Sequence, residues 1–303
     1  MRPYLFKIGG FELRIYSLMY ILAFLFGMFI CLADDVAEKR GVDDRKTIED
    51  FTFSTIVAGL IGARLYYVIF KFSDYAGDPL SIFYIWQGGL AIHGGIIGAF
   101  VGACLFARKS KVNLWVLTDM GVGPLLFGQF LGRFGNLANG EVHGVPTFTP
   151  WNVIFSGKFS EWWAKYQALG VAEQAQFKQL VPWGLTFPLD TPAGSEFPNL
   201  PLHPAMLYEG ALNLIGFLIL WFYFRKKEYN PGVLSMIYLI IYAIIRTFVS
   251  TFRAEDLLIF GIRLPYIISI IMIIIGIVGI KYFSRPERKF VPAEKKNSEN
   301  NKN

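Results

Sequence analysis

Charged side chains are scarce in this sequence. Asp, Glu, Lys and Arg make up 17% of its 303 residues, whereas hydrophobic types make up 54% and the mean hydropathy is +0.42. Soluble domains usually carry about 25% charged residues. The deficit argues against an ordinary water-soluble protein and indicates that lipid surrounds much of the chain.

Cysteine and recognisable ligand motifs are also scarce. Cys31 and Cys104 both lie in apolar segments, and we expect two small buried hydrophobic residues rather than a disulfide or a nucleophile. The histidines (His93, His143 and His203) lack ligand spacing such as HExxH, and the acidic residues are scattered. We therefore expect neither a metal site nor a cofactor, and the lack of a P-loop argues against ATP.

The formal net charge of +6 is not accompanied by a basic stripe with interleaved aromatic residues, so we expect no nucleic-acid partner. The basic residues instead cluster in short loops beside apolar runs. The first residues lack the layout of a cleavable signal peptide, so we expect the first apolar segment to be retained as a membrane helix.

Seven apolar segments approach the length of about 20 residues that a spanning helix needs. The third and fourth are rich in glycine, which suits close helix contact in lipid. We therefore predict an all-α polytopic membrane protein with spans at about 15–33, 51–70, 88–107, 114–134, 205–225, 233–252 and 265–283.

Most of the 29 Lys and Arg residues lie in segments 34–50, 108–113, 225–230 and 281–303. The positive-inside rule then places the N-terminus outside and the C-terminus in the cytoplasm. We predict a single membrane domain at 1–284 with an extracytoplasmic lobe at about 135–204, rich in Trp, Pro and Gly and partly lying on the membrane interface. Within it, 157–180 is predicted as an amphipathic helix, and the polar tail 285–303 as disordered.

Ionisable residues inside spans require a reason, since an arginine at a helix centre costs about 2.5–3.5 kcal/mol on insertion scales. Arg64, Arg133 and Arg246 lie in or at the ends of separate spans, and His93 lies near the start of the third. The predicted topology puts His93, Arg133 and Arg246 in one layer near the outer leaflet, together with Tyr16 and His203.

Each of these residues also has an ordinary explanation. A lone arginine can extend to the headgroups, a lone histidine can be a hydrogen-bonded packing residue, and Tyr16 can belong to an interfacial aromatic belt. These explanations account poorly for their occurrence in one layer. Arginine's planar fork suits phosphate oxygens, so the layer suits the headgroup of one phospholipid.

At these residues the sequence resembles the prolipoprotein diacylglyceryl transferase family over nearly the whole chain. The stretches that carry the resemblance are YSLMY at 16–20, GGLAIHGGIIGA at 88–99, GRFGNLANGEVHG at 132–144, HPAMLYEG at 203–210 and, more loosely, YAIIRTFVSTFR at 242–253. The resemblance implies a bacterial enzyme of the cytoplasmic membrane whose active site faces the extracytoplasmic leaflet. It would move the diacylglyceryl group of phosphatidylglycerol to the lipobox cysteine thiol in the signal peptide of a preprolipoprotein, forming a thioether and releasing glycerol phosphate.

The resemblance also implies site residues. His93, Arg133 and Arg246 match positions important for activity, with His93 either as the base that deprotonates the thiol or as a residue that orients substrate. The expected substrate-binding residues are Tyr16, Arg64, Asn136, Asn139, Glu141, Gly144, His203, Tyr208, Glu209 and Tyr242.

One position departs from the family pattern. Many members carry an acidic residue four positions after the arginine that matches Arg246, on the same helix face, and this sequence has Ser250 there. Arg246 would then pair with Glu255 or Asp256, or stay unpaired until a phosphate binds. Arg253 is a second candidate for the role of Arg246.

The alternatives to this enzyme are a transporter, a non-catalytic relative and another lipid-headgroup transferase. A transporter fits poorly, because the ionisable residues occupy one depth and do not follow a path across the bilayer. A non-catalytic lipid- or lipoprotein-binding relative fits less well because His93 and the NGE stretch at 139–141 are both present. Another lipid-headgroup transferase would use the same phosphate-binding residues.

Overall fold

The fold is mostly helical. The computed structural model describes residues 4–8, 11–33, 42, 45–75, 77–84, 89–254 and 256–286. Its long helices are α1 (Ile15–Leu32), α2 (Arg45–Phe70), α3 (Ile92–Ser110) and α4 (Leu114–Asn139). Four short helices follow: α5 (Trp151–Ser156), α6 (Phe159–Gln167), α7 (Val171–Gln174) and α8 (Pro192–Glu196). The chain then forms α9 (Ala205–Ile219), which continues as a π-helical turn at Leu220–Phe224, α10 (Val233–Phe252) and α11 (Leu264–Phe283).

Short strands and 3₁₀ turns complete the described elements. Strands β1 (Tyr4–Ile8) and β2 (Phe11–Arg14) form an antiparallel pair ahead of α1, and β3 (Leu258–Ile259) and β4 (Ile262–Arg263) form a second pair ahead of α11. Two 3₁₀ turns, Phe72–Tyr75 and Pro79–Phe83, follow α2.

Six of the described helices are long and apolar enough to span a membrane: α1, α2, α4, α9 with its π-helical turn, α10 and α11. The prediction of a helical multi-pass membrane protein is confirmed. The third predicted span, 88–107, corresponds to α3, which begins at Ile92 and extends to Ser110. This helix is not among the six. The count of seven spans and their orientation stay predictions.

The chain forms two compact units. The first takes in the described residues of Met1–Gly27, Val122–Tyr229 and Val233–Arg285, and the second those of Met28–Gly121, Asn230–Gly232 and Pro286–Asn303. The predicted single domain at 1–284 stays a prediction. Residues 287–303 of the predicted tail lie outside the described residues.

Helices α2 and α3 of the second unit pack backbone against backbone. A Cβ atom built on Gly98 would lie 2.9 Å from the Cα of Gly62, and one on Gly62 would lie 2.7 Å from the Cα of Gly98. Only glycine permits this approach, as in other close helix pairs within lipid. Cys31 is buried in this unit as expected, whereas Cys104 is only half buried. Among the described residues, neither cysteine forms a disulfide.

The lobe after α4 belongs to the first unit and shares an apolar core with α9 and α10. Phe159, Phe197 and Leu202 are buried there, and Trp162 and Trp163 pack against them. The indole of Trp163 stacks on Tyr166 at a centroid distance of 5.1 Å. These two tryptophans therefore contribute to the lobe core, whereas Trp151 and Trp183 are exposed.

The prediction of one amphipathic helix over 157–180 is wrong. The segment forms α6 and α7, separated at Gly170, whose backbone is extended at φ −69° and ψ 160°. Glycine loses more conformational entropy in a helix than other residues. Gly170 is instead the N-cap residue of α7, and its N–H donates to Glu173 Oε2 at 3.0 Å.

Candidate active site

A buried carboxylate joins two arginines in the first unit. The Glu209 side chain has no exposed surface; Arg133 Nη2 donates to its Oε1, and Arg246 Nη1 lies 3.6 Å from its Oε2. The guanidinium groups of Arg133 and Arg246 keep about a fifth of their side-chain surface exposed, at 20% and 19%. A buried charge persists in a protein when it is paired, and here one carboxylate anchors two cationic groups that still reach the surface of the unit.

Three helices bring these residues together. Arg133 lies near the end of α4, Glu209 in the second turn of α9, and Arg246 in the second half of α10. Gly210 lies where α9 contacts α4, since a Cβ there would be in ordinary van der Waals contact with the Cβ of Arg133 at 3.4 Å. The three spans therefore converge at the ion pair.

The end of α4 extends the network. Arg133 Nη1 donates to Asn136 Oδ1 at 2.9 Å, and Asn136 Nδ2 donates to Glu141 Oε2 at 3.4 Å. Asn139 Nδ2 donates to the other oxygen of Glu141 at 3.3 Å. The chain turns back after the helix, with the Glu141 N–H bonded to the Asn136 carbonyl at 2.9 Å. The turn at 139–141 thus orders the side-chain amides of Asn136 and Asn139 near Arg133.

A second buried acid lies beyond α10. The side chain of Asp256 is 4% exposed, and its carboxylate lies 3.4 Å from Arg246 Nη2, 3.8 Å from Arg253 Nε and 3.5 Å from Arg263 Nη1. The Ser250 hydroxyl donates to its Oδ2. Of the two partners considered for Arg246, the structure therefore shows Asp256; Glu255 lies outside the described residues.

Among the described residues of this network, positive charge exceeds negative charge. Four arginines (Arg133, Arg246, Arg253 and Arg263) meet three carboxylates (Glu141, Glu209 and Asp256). Burial first, and then the neighbouring Arg246, lower the pKa of Arg253, which lies just after α10. Arg133 Nε is also buried without a hydrogen-bond partner among the described residues. An anionic ligand would supply both the missing charge and a missing acceptor.

A second hydrogen-bonded group involves His203. Its Nδ1 lies 3.0 Å from the Tyr208 hydroxyl, which accepts a hydrogen bond from Trp183 Nε1 at 2.7 Å. Burial lowers the pKa of His203 to about 4, so its imidazole is neutral at pH 7. A neutral His203 is better suited to orienting Tyr208 than to holding an anion.

Gly144 has a steric role. Its N–H donates to the His203 carbonyl at 2.8 Å, and a Cβ there would lie 2.7 Å from both the His203 Cβ and the Phe252 carbonyl oxygen. The requirement for glycine follows from this crossing of chains. Substrate binding by Gly144 stays a prediction.

Two tyrosines flank the network. Tyr16 opens α1, accepts a hydrogen bond from the Tyr20 hydroxyl at 3.1 Å and packs against Gly135, two residues after Arg133. Tyr242 lies four residues before Arg246 on α10, so the two share a helix face.

His93 and Arg64 lie in the second unit. His93 is the second residue of α3, has an exposed side chain, and lies 6.0 Å from the ring of Tyr66 between centroids. Arg64 is buried and donates to the carbonyls of Ser81 and Ile82, each at 2.6 Å, and of Gly89 at 3.0 Å. Its guanidinium thereby anchors the connection between α2 and α3; substrate binding by Arg64 stays a prediction.

Within the described parts of the chain, no group of three or more His, Cys, Asp or Glu residues has the arrangement of a metal site.

Comparison with known proteins assigns the chain. The family model described as prolipoprotein diacylglyceryl transferase matches residues 3–282. The chain belongs to the prolipoprotein diacylglyceryl transferase family. The resemblance inferred from the sequence motifs is therefore confirmed.

Curated relatives within the prolipoprotein diacylglyceryl transferase family match over nearly their full length. The phosphatidylglycerol–prolipoprotein diacylglyceryl transferase of Fusobacterium nucleatum subsp. nucleatum is 50% identical over 284 residues, which cover 93% of this chain and 98% of the relative. The protein of the same name from Thermotoga maritima is 32% identical over 297 residues, covering 95% and 87%. That from Synechococcus elongatus is 32% identical over 283 residues, covering 92% and 86%.

Sequence reasoning missed Arg263 in this transferase-family chain. It named Asp256 only as one possible partner of Arg246. Arg263 follows five residues of the apolar hairpin and immediately precedes α11, where an isolated arginine resembles a membrane-boundary residue. The available signal was the close occurrence of Arg253, Asp256 and Arg263 between two spans.

Proposed function

We propose that the chain transfers the diacylglyceryl group of phosphatidylglycerol to the thiol of the lipobox cysteine of preprolipoproteins. Membership of the prolipoprotein diacylglyceryl transferase family supports this activity. The structural observation that carries the mechanism is the pair of guanidinium groups, on Arg133 and Arg246, held by one buried Glu209.

The reaction forms a C–S bond and breaks a C–O bond. The cysteine thiolate attacks the glycerol carbon that bears the phosphodiester oxygen, and the electron pair of the broken bond leaves on that oxygen as glycerol phosphate. The thiol proton passes to a base, for which His93 is our candidate because an imidazole nitrogen can accept a proton. A thioether joins the diacylglyceryl group to the protein substrate.

Negative charge grows on the leaving phosphate as the C–O bond breaks. Arg133 and Arg246 are the donors we assign to it, since charge-assisted hydrogen bonds to phosphate oxygens are strong and directional. The amides of Asn136 and Asn139, ordered by Glu141, would orient the glycerol headgroup.

The location of the reaction is part of the proposal. The chain is a multi-pass membrane protein, and we place it in the bacterial cytoplasmic membrane with its site facing the extracytoplasmic leaflet. The distribution of Lys and Arg in the loops supports this orientation. Phosphatidylglycerol would then reach the arginines laterally from the bilayer.

The test uses the full chain in lipid nanodiscs with phosphatidylglycerol labelled in its acyl chains and a lipobox peptide. We expect label on the peptide, and none on a peptide with serine in place of the cysteine. His93→Gln, Arg133→Ala and Arg246→Ala should each abolish transfer while still inserting into the membrane. Arg45→Ala, which removes an exposed arginine paired with Glu49, is the matched control and should keep full activity.

Three outcomes separate the proposal from its alternatives. An unlabelled peptide with retained phosphatidylglycerol binding would indicate a non-catalytic relative. Transfer of another headgroup or acyl unit would indicate a different lipid transferase. Normal labelling by all three site variants would contradict the assigned roles.

A further inference from the structure

Asp256 connects a structural arginine to an active-site arginine. Arg263 Nη1 donates to the Ser250 carbonyl and, at 2.9 Å, to the Arg253 carbonyl. The Ser250 carbonyl lies in the last turn of α10 and the Arg253 carbonyl just after it, where a helix presents carbonyls beyond its regular hydrogen bonds. Arg263 therefore caps α10, and Asp256 Oδ2 lies 3.5 Å from the capping nitrogen.

The same carboxylate is fixed by a hydroxyl. The Ser250 Oγ donates to Asp256 Oδ2, and Ser250 has no exposed surface. Ser250 lies four residues after Arg246, so both side chains occupy one face of α10. The Asp256 carboxylate thus lies beside Arg246 although its own backbone lies beyond the helix.

Arg246 is held at both terminal nitrogens. Its Nη1 lies 3.6 Å from Glu209 Oε2 and its Nη2 lies 3.4 Å from Asp256 Oδ1. Two carboxylates on different elements determine where the guanidinium lies and how its plane is turned. With Glu209 alone, the group would be held at one nitrogen and would be free to rotate about that contact.

We propose that Asp256 is a positioning residue that orients the Arg246 guanidinium toward the leaving phosphate. The inference rests on the proposed function, since it concerns the orientation of a group in the transfer reaction. Asp256 does not contact the reacting atoms in this account. Asp256 lies beyond the end of α10, yet its carboxylate lies beside Ser250, on the face of α10 that carries Arg246.

The role predicts an exchange of side chains that should be tolerated. In Ser250→Asp/Asp256→Ser the carboxylate moves to position 250, one helical turn after Arg246, and the hydroxyl moves to position 256. The two changes exchange one small side chain for another in the same contact, which limits the change in volume. The carboxylate remains within reach of Arg246 in the doubly substituted chain.

The experiment measures kcat, KM for phosphatidylglycerol and thermal unfolding for the full chain in nanodiscs. Asp256→Asn should lower kcat at least tenfold, and Ser250→Asp/Asp256→Ser should recover most of that loss. Asp119→Asn is the matched control: Asp119 is also a buried carboxylate, accepts a hydrogen bond from the Gly232 N–H at 2.8 Å, and should keep the wild-type kcat.

The outcomes distinguish this inference from the proposed function. Failure of the unmodified chain to label the peptide refutes the function itself. An active unmodified chain with wild-type kcat in Asp256→Asn refutes only the positioning role. Should Asp256→Asn not fold, the exchanged variant decides: a folded and active protein supports the role, and a folded protein without activity overturns it.

Discussion

Replacing Glu209 with glutamine removes one negative charge and little volume. The glutamine oxygen would still accept a hydrogen bond from Arg133, but the carboxylate shared with Arg246 would be lost. The variant Glu209→Gln therefore isolates the electrostatic contribution of the buried acid. Two arginines would then share the site without the charge that holds them together.

The structure indicates the size of the effect. Removing one partner of a buried ion pair typically costs about 3–5 kcal/mol of folding stability. Arg133 and Arg246 keep 20% and 19% of their side-chain surface exposed, so water compensates them in part. We expect the lower end of that range, about 3 kcal/mol. Transfer should fall further, by about a hundredfold or more in kcat, because both phosphate donors lose the carboxylate that they share.

Denaturant unfolding in detergent and labelling of a lipobox peptide measure the two effects. Glu49→Gln is the control, since Glu49 pairs with Arg45 on the surface at 2.8 Å with 42% of its side chain exposed. Exposed pairs contribute about 1 kcal/mol or less, so this variant should resemble the unmodified chain. If Glu209→Gln matched Glu49→Gln in both stability and kcat, the central role of the buried carboxylate would be refuted.

Two further predictions concern stability. Gly98→Ala should destabilise the fold by about 1–3 kcal/mol, because its Cβ would overlap the Gly62 backbone, whereas Gly121→Ala, where a Cβ meets open space among the described residues, should gain up to about 1 kcal/mol of helix propensity. Thermal unfolding checks both, and equal shifts would contradict the packing argument. Because burial lowers the pKa of His203 from 6.5 to about 4, its contribution is fully present above pH 6.5 and falls toward pH 4, by at most about 1.4 kcal/mol per pH unit. Denaturant titrations at pH 7 and 4.5 should show less acid sensitivity in His203→Gln; unchanged sensitivity would argue against a buried neutral imidazole.

The membrane character and the choice of arginines could be predicted from sequence. Arginine inside an apolar span is costly, so Arg133 and Arg246 stood out without any structure. Their common partner did not stand out in this way. The sequence could not show that Glu209 is this partner, because the pairing of residues on three different helices depends on how those helices pack. Helix α3 was located correctly in outline, with its start and end displaced by a few residues.

The second acid illustrates a different limit. The helical repeat relates Arg246 to position 250, where serine suggested that a carboxylate was missing. The carboxylate is instead supplied by Asp256, which the chain reaches only after leaving α10, and it is fixed by Arg263 beyond a hairpin. Helical periodicity says nothing about side chains beyond the end of the helix. The sequence alone could therefore offer Asp256 only as one of two possible partners of Arg246, the other being Glu255.

The backbone contact between α2 and α3 also has a mechanical consequence. Helices that interlock at Gly62 and Gly98 cannot slide or roll past each other without first separating, and Arg64 fastens the intervening connection through three carbonyls. The two helices should therefore move together as one rigid pair. His93, at the start of α3, would move with this pair and not independently of it.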